Sequence, residues 1–177
     1  MVVLRGTWDQ GLDYEKTKRL LVEKIKQVRG AKGVRARCAL AYTCVLLFQL
    51  RNGSRVSEAV DAVKEWVKTK KKEVEVPVRK HRFLELRKMV VPEELREEDR
   101  LDCASVLEYI KTANVEMFAR RSLGFNTHSL RYARITHLVK KGVSPSLIAK
   151  ITHHRRLDYV LRYTEQKAAD ELNREIA

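Results

Sequence analysis

The chain has 177 residues, 44% of them hydrophobic, enough for one globular domain with a real core. Thirty-seven Lys and Arg outweigh 23 Asp and Glu. The resulting charge of +14 exceeds what a Lys/Glu-rich surface of balanced sign explains, and it points to a polyanion, nucleic acid first. No stretch is long and apolar enough to span a membrane, and no apolar leader opens the chain. Cys38, Cys44 and Cys103 form no CxxC pair, so neither a disulfide frame nor a zinc site is suggested. The expectation is an intracellular, cytoplasmic protein without metal or cofactor.

Tyr14, Thr17, Leu21, Ile25 and Val28 recur at helical spacing and predict an amphipathic helix near 13–29, broken by Gly30 and Gly33. Residues near 34–51 are apolar nearly all round and predict a buried helix, closed by the turn pair Asn52-Gly53. Val56, Val60, Val63 and Val67 mark the next helix face. Glu73 to Val78 then alternates with period two, a strand placed at an edge by Pro77. Residues near 85–91 are its expected partner in a hairpin whose tip lies around Lys80 to Phe83. Pro92-Glu93-Glu94 is expected to open a short helix, and a longer one to run near 102–119. Asn126-Thr127 would cap a helix from His128 to Lys140, ended by Gly142, and Ser144-Pro145 starts another. One or two helices are expected over the last 20 or so residues. The fold class is mainly α with a small antiparallel β-hairpin, in a single domain over 1–177.

The most informative stretch is Thr127 to Thr164. It contains His128-x-x-Arg131, then Gly142, His154, and Tyr163 nine residues beyond His154. Upstream lies Gly53-Ser54-Arg55-Val56-Ser57-Glu58. This order resembles the two conserved boxes of the tyrosine recombinase (phage-integrase) family, over roughly residues 35 to 165. The Lys/Glu richness and the hairpin resemble archaeal or archaeal-virus integrases. The resemblance implies the catalytic-domain fold of that family, without its N-terminal core-binding domain. It also implies site-specific cutting and rejoining of double-stranded DNA through a 3′-phosphotyrosine, with a tetramer on DNA as the assembly. Two departures stand out: His153 occupies the place of a glycine before His154, and Tyr132 that of a frequent His.

The residue types suit that chemistry. Transesterification at a phosphodiester builds negative charge on the nonbridging oxygens, which two permanently charged guanidiniums, Arg55 and Arg131, can clamp. His128 shares a helix face with Arg131 near the helix N-terminus, a position suited to phosphate and to proton transfer. Tyr163, an ordinary phenol, needs a base or nearby cations to become a nucleophile, and the resemblance assigns it that role over Tyr159. Lys80 on the hairpin is the implied general acid, with Lys88 in the facing strand as the alternative. Lys68, Lys70, Lys71, Lys72, Arg79 and Arg82 are candidates for phosphate contacts along the DNA. Two other readings share these features. One is a DNA-binding module of this fold without chemistry. The other is a type IB topoisomerase-like enzyme that nicks and reseals one strand.

Overall fold

A computed structural model of the protein describes residues 9–79 and 85–154, together with 165, 169–170 and 172–176. The elements run α1 (Tyr14–Val28), α2 (Val34–Asn52), α3 (Val56–Thr69), β1 (Glu73–Pro77), β2 (Leu86–Val90), α4 (Glu97–Ser105), α5 (Thr112–Phe118), α6 (His128–Lys140) and α7 (Pro145–Thr152). The mainly helical class with one small antiparallel sheet is therefore the observed one. No helix among the described residues is long and apolar enough to cross a membrane.

The core forms around α2. Leu40, Ala41 and the run from Thr43 to Leu50 are all buried. A helix apolar on every side needs neighbours on every side, and α1, α3, α4, α5 and α6 all pack on it. In α1 the Asp13 carboxylate accepts the Lys16 amide at 2.8 Å, and Tyr14, Thr17, Leu21 and Ile25 form the buried stripe. The sheet pairs Val74 with Met89 and Val76 with Arg87. All four are buried, so the hairpin has one inner face. Pro77 closes β1 beside Leu86, where its missing N–H costs little.

Two expectations change. Pro92 to Leu95 forms a turn, not a helix, with the Leu95 amide on the Pro92 carbonyl at 3.2 Å. Helix α4 starts at Glu97 because the Asp99 carboxylate accepts the Arg96 amide at 2.8 Å. The long helix expected near 102–119 is divided into α4, a 3-10 turn (Leu107–Tyr109) and α5, which runs on into a π-helical turn (Ala119–Leu123). The break at Val106 to Lys111 brings Cys103, Val106, Ile110 and Val115 all into the core. One straight helix could not point all four there, so packing overrides local periodicity. At the C-terminal end, residues 169–170 and 172–176 are helical and those with described side chains are exposed.

Candidate active site

The site begins at the turn between α2 and α3. The Asn52 side chain donates to the Phe48 and Val90 carbonyls, each at 3.0 Å, and accepts the Val90 amide at 2.9 Å. One amide thereby fastens the end of α2 to β2. Gly53 adopts a left-handed φ of 58°, and a Cβ on it would lie 2.9 Å from Thr152 Cγ2 and 3.1 Å from Arg134 Cγ. Glycine is needed there twice over: for the backbone, and so that α6 and α7 can close on the turn.

Arg55 is the N-cap residue of α3, and Glu58 one turn on is fully buried. The Glu58 carboxylate accepts four donors. Oε2 takes the Arg55 amide at 3.1 Å and Arg87 Nη1 at 2.9 Å. Oε1 takes Arg55 Nη1 at 2.9 Å and the Arg79 amide at 3.2 Å. Burial alone would raise its pKa, but the Arg55 amide and the Arg87 charge outweigh it and hold the carboxyl below its ordinary value. Glu58 thus stays ionised. Arg55 Nη1 also donates to the Arg79 carbonyl at 3.1 Å, which fixes that guanidinium between α3 and the hairpin.

Arg131, on α6, is only 2% exposed. Its Nη1 donates to the Gly53 carbonyl at 3.1 Å. Its Nε lies 3.4 Å from His154 Nε2, and Nη2 lies 3.1 Å from Nδ1. Burial, followed by repulsion from Arg55, lowers the Arg131 pKa to about 9, still cationic at neutral pH. Burial and the charge of Arg131, then of Arg55, push His154 down to about 3, so its imidazole is neutral. Thr152 Oγ1 donates its single proton to the Ile148 carbonyl at 2.7 Å and lies 2.6 Å from His154 Nδ1. His128 opens α6 with its ring edge-on to Tyr132, centroids 5.0 Å apart, and its charge also acts on His154. The α6 start is anchored to α2 by Gln49 Nε2 on the Thr127 carbonyl at 2.8 Å, and capped by Asn126 Oδ1 on the Ser129 amide at 3.0 Å.

Arg55, His128, Arg131 and His154, distant in sequence, therefore belong to one cluster. Lys80, Arg82 and Tyr163 lie outside the described residues. Arg79 is exposed and its guanidinium pairs with Asp61. Lys68, Lys70, Lys71 and Lys72 are exposed at the far end of α3, about 20 Å from Arg55 at the rise of an α-helix. Lys88 is exposed on the face of β2 opposite Arg87, beside Glu65, Glu73 and Glu75, and so faces away from the cluster. No group of metal-ligating side chains occurs among the described residues.

Glu58 and Arg87, neither of them a candidate from the sequence, are also members of the cluster. Glu58 was visible as the acid of the upstream box, but its burial was not. Arg87 is one basic residue among many, and its only clue is period two: it shares a strand face with Met89. His153, which stands where the resemblance expects a glycine, takes the left-handed backbone, φ 53°, at the end of α7. Its ring Nδ1 lies 2.8 Å from Glu85 Oε1, which ties α7 to the base of the hairpin.

The chain is 37% identical over 175 residues to a protein named "Putative integrase ORF241" from Acidianus two-tailed virus, covering 98% of this chain and 70% of that one. It is 29% identical to "Putative integrase V10" of Sputnik virophage, covering 93% and 88% of the two chains. It is 28% identical to an uncharacterized protein of Methanocaldococcus jannaschii, covering 97% and 89%. No protein-family model and no solved structure matches it.

Proposed function

This chain belongs to the integrase-like family of the Acidianus virus protein, and on that premise we propose that it is a tyrosine-type site-specific DNA recombinase. The observation that carries the reading is electrostatic. Three guanidiniums, Arg55, Arg87 and Arg131, lie in the field of the Glu58 carboxylate, which bonds the first two, and the imidazole beside them is neutral. A half-buried cluster with surplus positive charge is costly by itself and is relieved by an anion. A phosphodiester gaining charge in its transition state is the anion that profits most.

In this reading one domain carries the chemistry. Arg55 and Arg131 hold the nonbridging oxygens. The Tyr163 oxygen attacks phosphorus and passes its proton towards His128. The bond from phosphorus to the 5′-oxygen breaks, and Lys80 protonates that oxygen. Rejoining is the same exchange in reverse and needs no ATP, because the phosphotyrosine ester keeps the bond energy. Arg79 and Arg82 near the hairpin, and Lys68, Lys70, Lys71 and Lys72 further off, serve as DNA contacts in double-stranded DNA. A tetramer on DNA belongs to the same reading.

The test is a duplex nicked close to the cut, so that the leaving strand diffuses away. The wild-type chain should form a covalent complex mapping to Tyr163, and Tyr163→Phe should form none. Adduct on the Phe variant would overturn the choice of nucleophile. Salt-sensitive DNA binding with no adduct on any substrate would leave a binding module in place of an enzyme.

A further inference from the structure

We propose that Arg87 is the positioning residue of this site: one buried fork that sets Arg55, Arg131 and His154 relative to each other. The proposal rests on the reading of the cluster as a phosphoryl-transfer centre.

The Arg87 side chain is 1% exposed and both its terminal nitrogens are taken up by acceptors of the protein itself. It reaches inward from β2 and spends its terminal nitrogens on three acceptors. Nη1 donates to Glu58 Oε2 at 2.9 Å. Nη2 donates to the Asn52 carbonyl at 2.8 Å and the Ile151 carbonyl at 3.1 Å. Those acceptors sit on α3, α2 and α7, and each adjoins a group of the site. Glu58 holds Arg55 through its other oxygen at 2.9 Å. Asn52 precedes Gly53, whose carbonyl takes Arg131. Ile151 precedes Thr152, which contacts His154. Three groups that approach one phosphate from separate elements are thus referred to one rigid plane.

Stability alone gives no reason for an arginine here. A buried ion pair adds little over a well-packed apolar pair of the same volume. The guanidinium fork can span acceptors in different directions within one plane, which a lysine ammonium cannot reproduce. Arg87 also adds its charge to the field felt by Arg131 and His154.

The experiment uses the full chain, the nicked duplex and single-turnover conditions. Adduct rate and DNA Kd are measured separately at one salt concentration for Arg87→Met, Arg87→Lys, Glu58→Gln and the double variant Arg87→Met/Glu58→Gln. Misplacement of reacting groups by about an ångström costs on the order of 100-fold in rate, and that loss is expected for Arg87→Met with Kd little changed. Arg87→Lys should restore little of it. The double variant should be no slower than the slower single variant, because both residues act along one path. A folded Arg87→Met protein that cleaves near the wild-type rate overturns the proposal, as does a loss confined to Kd. If Arg87→Met does not fold, Arg87→Lys decides: near-wild-type cleavage overturns it, and a large loss at unchanged Kd upholds it. If the wild-type chain forms no adduct, the recombinase reading fails. Arg87 is then judged by inorganic phosphate alone, whose affinity should drop in the Arg87 variants. Unchanged phosphate affinity overturns the proposal.

Discussion

Arg131 Nη1 donates to the carbonyl of Gly53 at 3.1 Å, so the second guanidinium is fixed by the same turn that launches the first. Arg55 lies two residues beyond Gly53, at the cap of α3. The two cations are therefore held by a shared piece of backbone, and repulsion between them is part of why the Arg131 pKa falls.

Substitution at that turn should be costly in a way that can be dissected. Gly53→Ala keeps a left-handed φ, about 1–2 kcal/mol for a residue with a Cβ. It adds a Cβ 2.9 Å from Thr152 Cγ2, an overlap worth about 1–3 kcal/mol more. Gly142→Ala carries a comparable φ of 74° with nothing within 4 Å of its Cβ, and should show the backbone part alone. Urea denaturation of both variants checks the difference. Equal losses would mean that the approach of α7 to the turn is looser than described.

The surplus charge predicts stabilisation by anions. Phosphate or sulfate should stabilise the fold more than chloride at matched ionic strength, by about 2.7 kcal/mol at one hundred times Kd, and so raise Tm. The effect should vanish in Arg131→Gln and shrink in Arg55→Gln. An identical response to chloride and phosphate would argue against a built phosphate site.

Among the described residues Glu58 is the carboxylate bonded to both Arg55 and Arg87. Glu58→Gln should lower stability by about 3–5 kcal/mol, the usual consequence of breaking a buried pair from one side. Phosphate should recover more stability in this variant than in the wild type, since it replaces part of the missing charge. Denaturation curves with and without phosphate measure both effects.

The pH response follows from His154, held at about 3 against a usual 6.5 by burial and the charge of Arg131. Between those values the unfolded chain binds a proton that the fold refuses. The contribution is complete above pH 6.5 and is lost as pH falls towards 3. Acidification from pH 6.5 to 5 should therefore cost about 1 kcal/mol per pH unit through this group. His154→Gln should flatten the slope by that amount. His137, also lowered through burial, acts with the same sign and is present in both proteins. Parallel stability curves for the two proteins would show that His154 is solvated.

His153 offers an independent check on the end of α7. His153→Gly should relieve the left-handed backbone by about 1 kcal/mol and lose a partly exposed contact with Glu85 worth about 0–1 kcal/mol. The net change should be small, whereas His153→Ala should be destabilising. Thermal melts of the two variants compare them.

Much of this protein was legible as pattern. The stripe of α1, the apolar run of α2, the alternation in β1 and the turn at Asn52-Gly53 each follow from the spacing of a few side chains. Local spacing also brought Arg55, His128, Arg131 and His154 forward, because their order along the chain resembles a known pair of boxes. What spacing could not decide was where packing overrules it. The stretch near 102–119 bends at Val106 to Lys111 because four apolar residues seek one core, a preference that exists only once α2 is in place. The same holds for Arg87. Among 37 basic residues only its place on the Met89 face of β2 marks it locally, and its role arises only when β2, α2, α3 and α7 meet and leave acceptors on three sides of one guanidinium. Sequence determines which groups are available and which face of an element they occupy. Burial, and with it the shifted charges of Glu58, Arg131 and His154, is a property of the assembled fold, because desolvation depends on neighbours far away in the chain.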